Sequence, residues 1–388
     1  MNYLMKNYKP YPISFEKGKG IYLYTKKNEE YIDAISGIGV CCLGHGDKKI
    51  TKVISNQANK LLHTSNIYEI NKQKELAKNL CKISSMKSVF FCNSGSEANE
   101  TAMKLARLHA NKNNLKNPKM IVFKNGWHGR SFMTLAATSS ESAKKGFSPL
   151  PGGFITLPLN DINEIHKVIK LKQVSAIMIE VIQGEGGINI SEKKFLKKLR
   201  DITKKKDILL IIDEVQTGIG RTGKWFAYQN FGIIPDIVTS AKGLGNGVPI
   251  GACMGNQKVS KLFEPGSHGS TFGGNPFVST ISLEVLKIIK ERNLLDHVNE
   301  MGKFFINQLK DDLGNLKIVR EIRGMGLMIG IELKKPNLPV VKDCLEKQNL
   351  LLNLTSSNIV RMLPPLIIKK GQLKTISKKL KFVLESYE

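Results

Sequence analysis

Across residues 50–270, short apolar runs alternate with stretches whose apolar positions recur at helical spacing. The runs Ser88–Cys92, Met120–Phe123, Ala176–Ile182, Leu209–Ile212 and Ile237–Ser240 are bounded by turn residues and read as buried strands. After the first of them, Ala98, Ala102, Leu105, Ala106 and His109 mark a helix period. This alternation predicts an α/β domain with a mostly parallel sheet wrapped by helices. Upstream, residues 21–25 and 30–35 flank a Lys-Lys-Asn-Glu turn and predict a hairpin. Beyond 280 the pattern changes. A long helical stretch over 280–310 leads to strand-like Lys317–Ile322 and Leu327–Leu333 around Gly324-Met325-Gly326, two short strands near Asn353 and Ile359, and a final helix from about Gly371. The expected organisation is a large domain over 51–279 and a smaller α+β domain over 280–388, which the N-terminal segment 1–50 joins.

Composition fits a folded chain: 388 residues, 41% apolar and 24% charged. The longest apolar run, Ile208–Ile212, falls far short of the roughly 20 residues a bilayer requires. The N-terminus shows no hydrophobic core of a secretory signal, so a soluble cytoplasmic protein is expected, with no membrane partner. The net charge of +26 suggests nucleic acid, but the 59 basic residues divide into 51 Lys and 8 Arg. Arginine is the fork that reads bases and phosphates, and the lysines are scattered in doublets and triplets, so no nucleic-acid partner is expected. Six Cys form no C-x-x-C pair and seven His no H-x-x-x-H pair, so neither a disulfide framework nor a metal is expected.

Gly218-Ile-Gly220-Arg-Thr-Gly223 fits a dinucleotide fingerprint, and with Lys224 a Walker loop. Trp225 stands where the Walker loop needs Ser or Thr, and five residues separate the glycines from the preceding strand, so both readings fail on context. Four other features agree with one another. The segment 90–100 (FFCNSGSEANE) is a strand, a Gly/Ser turn and a helix start, which binds phosphate or is simply a helix capped by Ser94 and Glu97. Leu209–Ile212 delivers Asp213 to a strand end, and Ile237–Ala241 delivers Lys242 in the same way. A lysine ending an apolar strand has its ammonium disfavoured, as an amine that attacks a carbonyl requires. Trp127-His128-Gly129-Arg130 adds a flat ring and an Arg on a loop. A phosphate cradle, a carboxylate, a lysine and a ring together describe a site for pyridoxal 5′-phosphate.

On these residues the chain resembles the class III, fold-type-I pyridoxal-phosphate aminotransferases, and within them the acetylornithine branch. The likeness runs nearly end to end, through SGIGVCCLGHG (36–46), HTSNIY (63–68), FFCNSGSEANE (90–100), WHGR (127–130), EVIQGEGG (180–187), IIDEVQTGIGRTG (211–223), AKGLGNGVPIGA (241–252), HGSTFGGNP (268–276), RGMGLMIGIEL (323–333) and VRMLPPLII (360–368). The resemblance implies a large domain with a seven-stranded, mostly parallel sheet. It makes Lys242 the lysine that bonds the cofactor and shuttles the proton, and Asp213 the partner of the pyridine nitrogen. Gln216 would bind the ring 3-oxygen, with Glu214 and Val215 in the same cofactor set. Gly95 and Ser96 would hold the phosphate, completed by Thr271 from the neighbouring subunit of a homodimer with shared sites. Trp127 would stack on the ring where the family usually has Phe. Arg130 would bind the constant substrate carboxylate and Arg361 the glutamate α-carboxylate. Glu185 would cover Arg361 when that carboxylate is missing, and Ser270 would be a further donor contact.

The implied reaction is N2-acetylornithine plus 2-oxoglutarate giving N-acetylglutamate 5-semialdehyde and glutamate, in arginine biosynthesis. The alternatives are ornithine δ-, succinyldiaminopimelate and 4-aminobutyrate aminotransferases, which share the catalytic set. From a different class, the alternative is a polyanion-binding protein on an inactive aminotransferase scaffold.

Overall fold

The structure, a computed structural model, describes residues 3–388. Its centre is a seven-stranded sheet in the order Ser88–Cys92, Gly251–Gly255, Ile237–Ser240, Leu209–Asp213, Val174–Ile179, Lys119–Phe123, Phe154–Leu157. All neighbours pair in parallel except Gly251–Gly255, which runs against both of its partners. Val174–Ile179 and Leu209–Asp213 are buried at every position, as strands covered on both faces must be. The chain is thus α/β with a mostly parallel sheet, as the alternation predicts. The antiparallel strand escapes the sequence pattern because Gly251-Ala-Cys-Met-Gly255 offers little bulk. Gly251 has to be small: a Cβ there would lie 2.2 Å from the Ser94 carbonyl oxygen.

The predicted hairpin forms, Tyr22–Tyr24 pairing antiparallel with Glu30–Asp33, and Leu350–Leu351 adds to it in parallel. A second antiparallel sheet has the order Val319–Met325, Met328–Leu333, Ile359–Met362, Asn353–Thr355. Where one helix was expected over 280–310 there are two, Pro276–Glu291 and Leu294–Leu313. The break is Asn293, which adopts the left-handed region at φ 48°. The first begins earlier than the periodicity suggests, because the Asn275 side chain accepts the Val278 amide at 3.0 Å and Pro276 occupies the first helical position.

The run Ala176–Ile182 also divides. After Ile179 the chain passes Glu180 and forms a small hairpin, Ile182–Gln183 with Asn189–Ile190, whose turn carries Glu185. The glycine-rich 218–223 stretch opens no α-helix; its Arg221 is 2% exposed and donates to the carbonyls of Leu327 and Pro364. Among the described residues no helix is long and apolar enough to cross a membrane, and no His/Cys/Asp/Glu group could hold a metal.

Candidate active site

A cavity of about 370 Å³ opens at the carboxyl ends of the central strands, where ligand sites of parallel sheets gather. Gly95, Ser96, Trp127, Glu185, Asp213, Val215, Gln216 and Lys242 all line it. They come from five separate stretches of chain.

The helix Gly95–Lys112 points its N-terminus at the cavity. Ser94 caps it by accepting the Glu97 amide at 3.2 Å, and Glu97 returns the bond by accepting the Asn93 amide at 2.9 Å. The cap takes the Glu97 amide; those of Gly95 and Ser96 belong to the first turn, which has no intrahelical acceptors. Capped helix and phosphate cradle are therefore compatible. Gly95 sits tight against its neighbour: a Cβ there would lie 2.6 Å from Val215 Cγ1, so Val215 would have to shift. Gly129, at φ 142°, likewise has no room for a Cβ, which would sit 2.1 Å from Ser96 Oγ. The WHGR loop thereby closes against the helix start.

Asp213 ends its strand 4% exposed. One oxygen accepts the Val215 amide at 3.0 Å; the other lies 2.8 Å from both Asn99 Nδ2 and His128 Nδ1. Three hydrogen bonds thus fix the orientation of this buried carboxylate. Burial alone would lower the His128 pKa, but the Asp213 hydrogen bond and charge outweigh it and raise the value. Asn99 and His128 were missed as functional residues. His128 lies inside the quoted WHGR block, and Asn99 falls on the buried face of the helix, where a polar residue was the available signal.

Lys242 follows the strand Ile237–Ser240 and sits in the left-handed region at φ 46°, a conformation costly for a side-chain-bearing residue. Burial lowers its pKa to about 8, against the opposing pull of Glu185, Asp213 and Glu180. Burial thus disfavours the ammonium, and far more neutral amine is available near neutral pH than an exposed lysine offers.

Arg361, on Ile359–Met362, is fully buried at 0% exposure. It donates to Glu185 Oε1 at 2.6 Å, to Gln216 Oε1 at 3.1 Å and to Asn353 Oδ1 at 2.6 Å, while its Nε has no partner. Gln216 reaches it because Gly184 is bare; a Cβ there would lie 2.2 Å from Gln216 Oε1. Arg130 is exposed, with its guanidinium 4.8 Å from the Trp127 ring centre and no carboxylate partner among the described residues.

Five expected residues are not part of the cavity wall: Arg130, Glu214, Ser270, Thr271 and Arg361. The Glu214 side chain accepts Thr217 Oγ1 at 2.5 Å and the Tyr228 amide at 2.9 Å. Ser270 accepts Asn93 Nδ2 at 3.2 Å, and Thr271 is exposed. Asn66 donates to the carbonyls of Ser270 and Gly273, both at 3.0 Å, so the HTSNIY block fastens this loop. Glu180, also unforeseen, lines the cavity and accepts the Trp127 and Gly184 amides.

The donor set fits pyridoxal 5′-phosphate: first-turn amides for a phosphate, a buried carboxylate for a ring nitrogen, a lysine whose pKa burial lowers for an aldehyde, and Trp127 for a ring face.

A family model described as Aminotransferase class-III matches residues 3–384. The chain is 48% identical over 374 residues to a protein named acetylornithine aminotransferase in Aquifex aeolicus, covering 96% of this chain and 97% of that one. Ornithine aminotransferase from Toxoplasma gondii ME49 is similar with a TM-score of 0.95 at 29% identity, over 99% of this chain and 93% of that structure. A second structure of T. gondii ornithine aminotransferase, with pyridoxal phosphate at partial occupancy in its active site, is similar with a TM-score of 0.94 at 29% identity, over 99% and 92% of the two chains.

Proposed function

The chain belongs to the class-III aminotransferase family, and from that premise we propose that it moves the terminal amino group of N2-acetylornithine to 2-oxoglutarate in the cytoplasm, as a homodimer with shared active sites. The products are N-acetylglutamate 5-semialdehyde and glutamate, a step of arginine biosynthesis. The higher identity to an acetylornithine enzyme than to the ornithine enzymes favours this donor. The observation that carries the reading is the Arg361–Glu185 pair at 2.6 Å together with the buried Lys242, whose pKa is lowered to about 8.

When bound, pyridoxal 5′-phosphate supplies an aldehyde that takes up the amino group and a conjugated ring that spreads the charge left on the substrate carbon. The Gly95 and Ser96 amides and the helix dipole hold the phosphate, with Thr271 of the partner subunit completing that pocket. Trp127 would stack on the ring, and Val215 lines the same cavity. Asp213 would pair with the ring nitrogen, and His128 and Asn99 hold Asp213 in place. Gln216 would serve the ring 3-oxygen, and the Lys242 amine would hold and move the proton.

Substrate carboxylates explain the arginines. Arg130 binds the carboxylate that both substrates present, with Ser270 beside the donor. Glutamate brings a second carboxylate to Arg361, and for the donor, which has none there, Glu185 keeps the pairing; an unpaired buried guanidinium would be costly. Exposed Phe272 (59%) follows Thr271, and exposed Ile67 (83%) and Tyr68 (69%) follow the Asn66 that binds this loop, which supports an apolar subunit contact here.

Steady-state rates with acetylornithine, ornithine, succinyldiaminopimelate and 4-aminobutyrate test the donor. A kcat/KM for any of the last three above that for acetylornithine overturns the substrate assignment.

A further inference from the structure

Glu180 lies between the central strand Val174–Ile179 and the hairpin that presents Glu185. It is 7% exposed, and each of its oxygens is taken by a different loop. Oε1 accepts the Trp127 amide at 2.7 Å and Oε2 the Gly184 amide at 3.0 Å. The first loop carries the ring, His128 and Arg130; the second carries Glu185, next in sequence to Gly184.

We propose that Glu180 is a positioning residue: by clamping the Trp127 and Gly184 amides to one rigid strand end, it sets the distance between the stacking ring and the Glu185–Arg361 pair. It acts through these two amides and touches neither reacting carbon. A carboxylate suits the task because it accepts at both ends, whereas an amide or a protonated acid presents one donor to a donor. The position has a cost in charge. Burial pushes the Glu180 pKa up to about 7; Asp213 adds to this and His128 opposes it. The Lys242 ammonium also faces it. As pH falls through about 7 the carboxyl gains its proton, one amide loses its acceptor, and the frame loosens on the acid side.

Amide hydrogen exchange on the holoenzyme reads both bonds directly. In Glu180→Gln, at least one of the Trp127 and Gly184 amides should exchange about tenfold or more faster relative to its neighbours. In the wild-type enzyme the same two amides should lose protection relative to neighbouring amides between about pH 8 and about pH 6, a change the Gln variant should lack. The donor half-reaction of the Gln variant should slow by about tenfold or more, and Glu180→Asp, one methylene too short to span both loops, should not rescue it. Unchanged protection of both amides in Glu180→Gln overturns the proposal. So does an absence of acid loosening in the wild type, which decides the matter even if the variants fail to fold. The rate prediction rests on the aminotransferase reading and the exchange prediction does not. The stated exchange pattern in a protein inert toward every donor would sink that reading and leave the clamp standing.

Discussion

Lys242 combines three properties that no other lysine in the chain is placed to share: a strand end beneath it, a left-handed backbone, and burial that lowers its pKa to about 8. Lys242→Ala should abolish turnover and the visible absorption of the bound cofactor near neutral pH. Full-yield borohydride trapping of the cofactor in that variant would show that another lysine anchors it. The partner of Arg361 can be tested in the same spirit. Glu185→Gln leaves a fully buried guanidinium with amides alone when acetylornithine binds, a loss of about 2–4 kcal/mol, or about 30- to 1000-fold in the donor half-reaction. Glutamate brings its own carboxylate, so its half-reaction should fall much less. Rapid-mixing spectra separate the two, and equal losses would sink the switch. Lys242 and Asp213 were legible because polar residues ending apolar strands contradict their surroundings. Glu180 was hidden because Ala176–Ile182 reads as one strand, and only the folded chain shows that its acid sits at a break with an amide on either side.

At the scale of elements, the helix Gly95–Lys112 sets local preference against packing. Alanine is the better helix former by about 1 kcal/mol, so Gly95→Ala should stabilise an isolated helix. In the folded chain its Cβ would lie 2.6 Å from Val215 Cγ1, which must then move into the cavity. The expected result is a cofactor affinity lower by about tenfold, 1.4 kcal/mol, measured by titration of the cofactor-free protein. A variant with a raised melting temperature and unaltered affinity would show that Val215 yields without consequence. Periodicity identified the elements that bury whole apolar runs. It failed at Gly251–Gly255, where small residues serve a close approach to Ser94, and at Asn293, where one left-handed residue divides two helices whose apolar periods continue across the break.

For the whole molecule, the exposed Thr271 loop and the apolar residues around it predict sites shared between subunits. Lys242→Ala and a Thr271 variant weakened in phosphate binding should each be inactive or impaired alone, yet hybrids should regain activity, since one of the two sites is free of both changes. Verified hybrids without complementation would mean that each subunit builds its own site. Pairing with a second chain was not readable from one sequence by pattern, because an exposed Phe272 looks the same whether it faces solvent or a partner.

The arginine inventory has a practical consequence. Arg200, Arg292, Arg320, Arg323 and Arg361 are each held by a carboxylate, and Arg221 by two backbone carbonyls. Beside 51 lysines, four of the eight arginines (Arg200, Arg221, Arg323 and Arg361) sit where the guanidinium reaches two or more acceptors. Arg107 and Arg130 remain as exposed guanidiniums with no ion pair among the described residues. An arginine-directed dicarbonyl reagent at low dose should therefore act almost as a site-directed label, indifferent to the crowd of lysines. Peptide mapping should find the adduct at Arg107 and Arg130 first, with 2-oxoglutarate shielding Arg130 alone. The surface that looks like a nucleic-acid binder's by charge would, to such a reagent, be nearly blank.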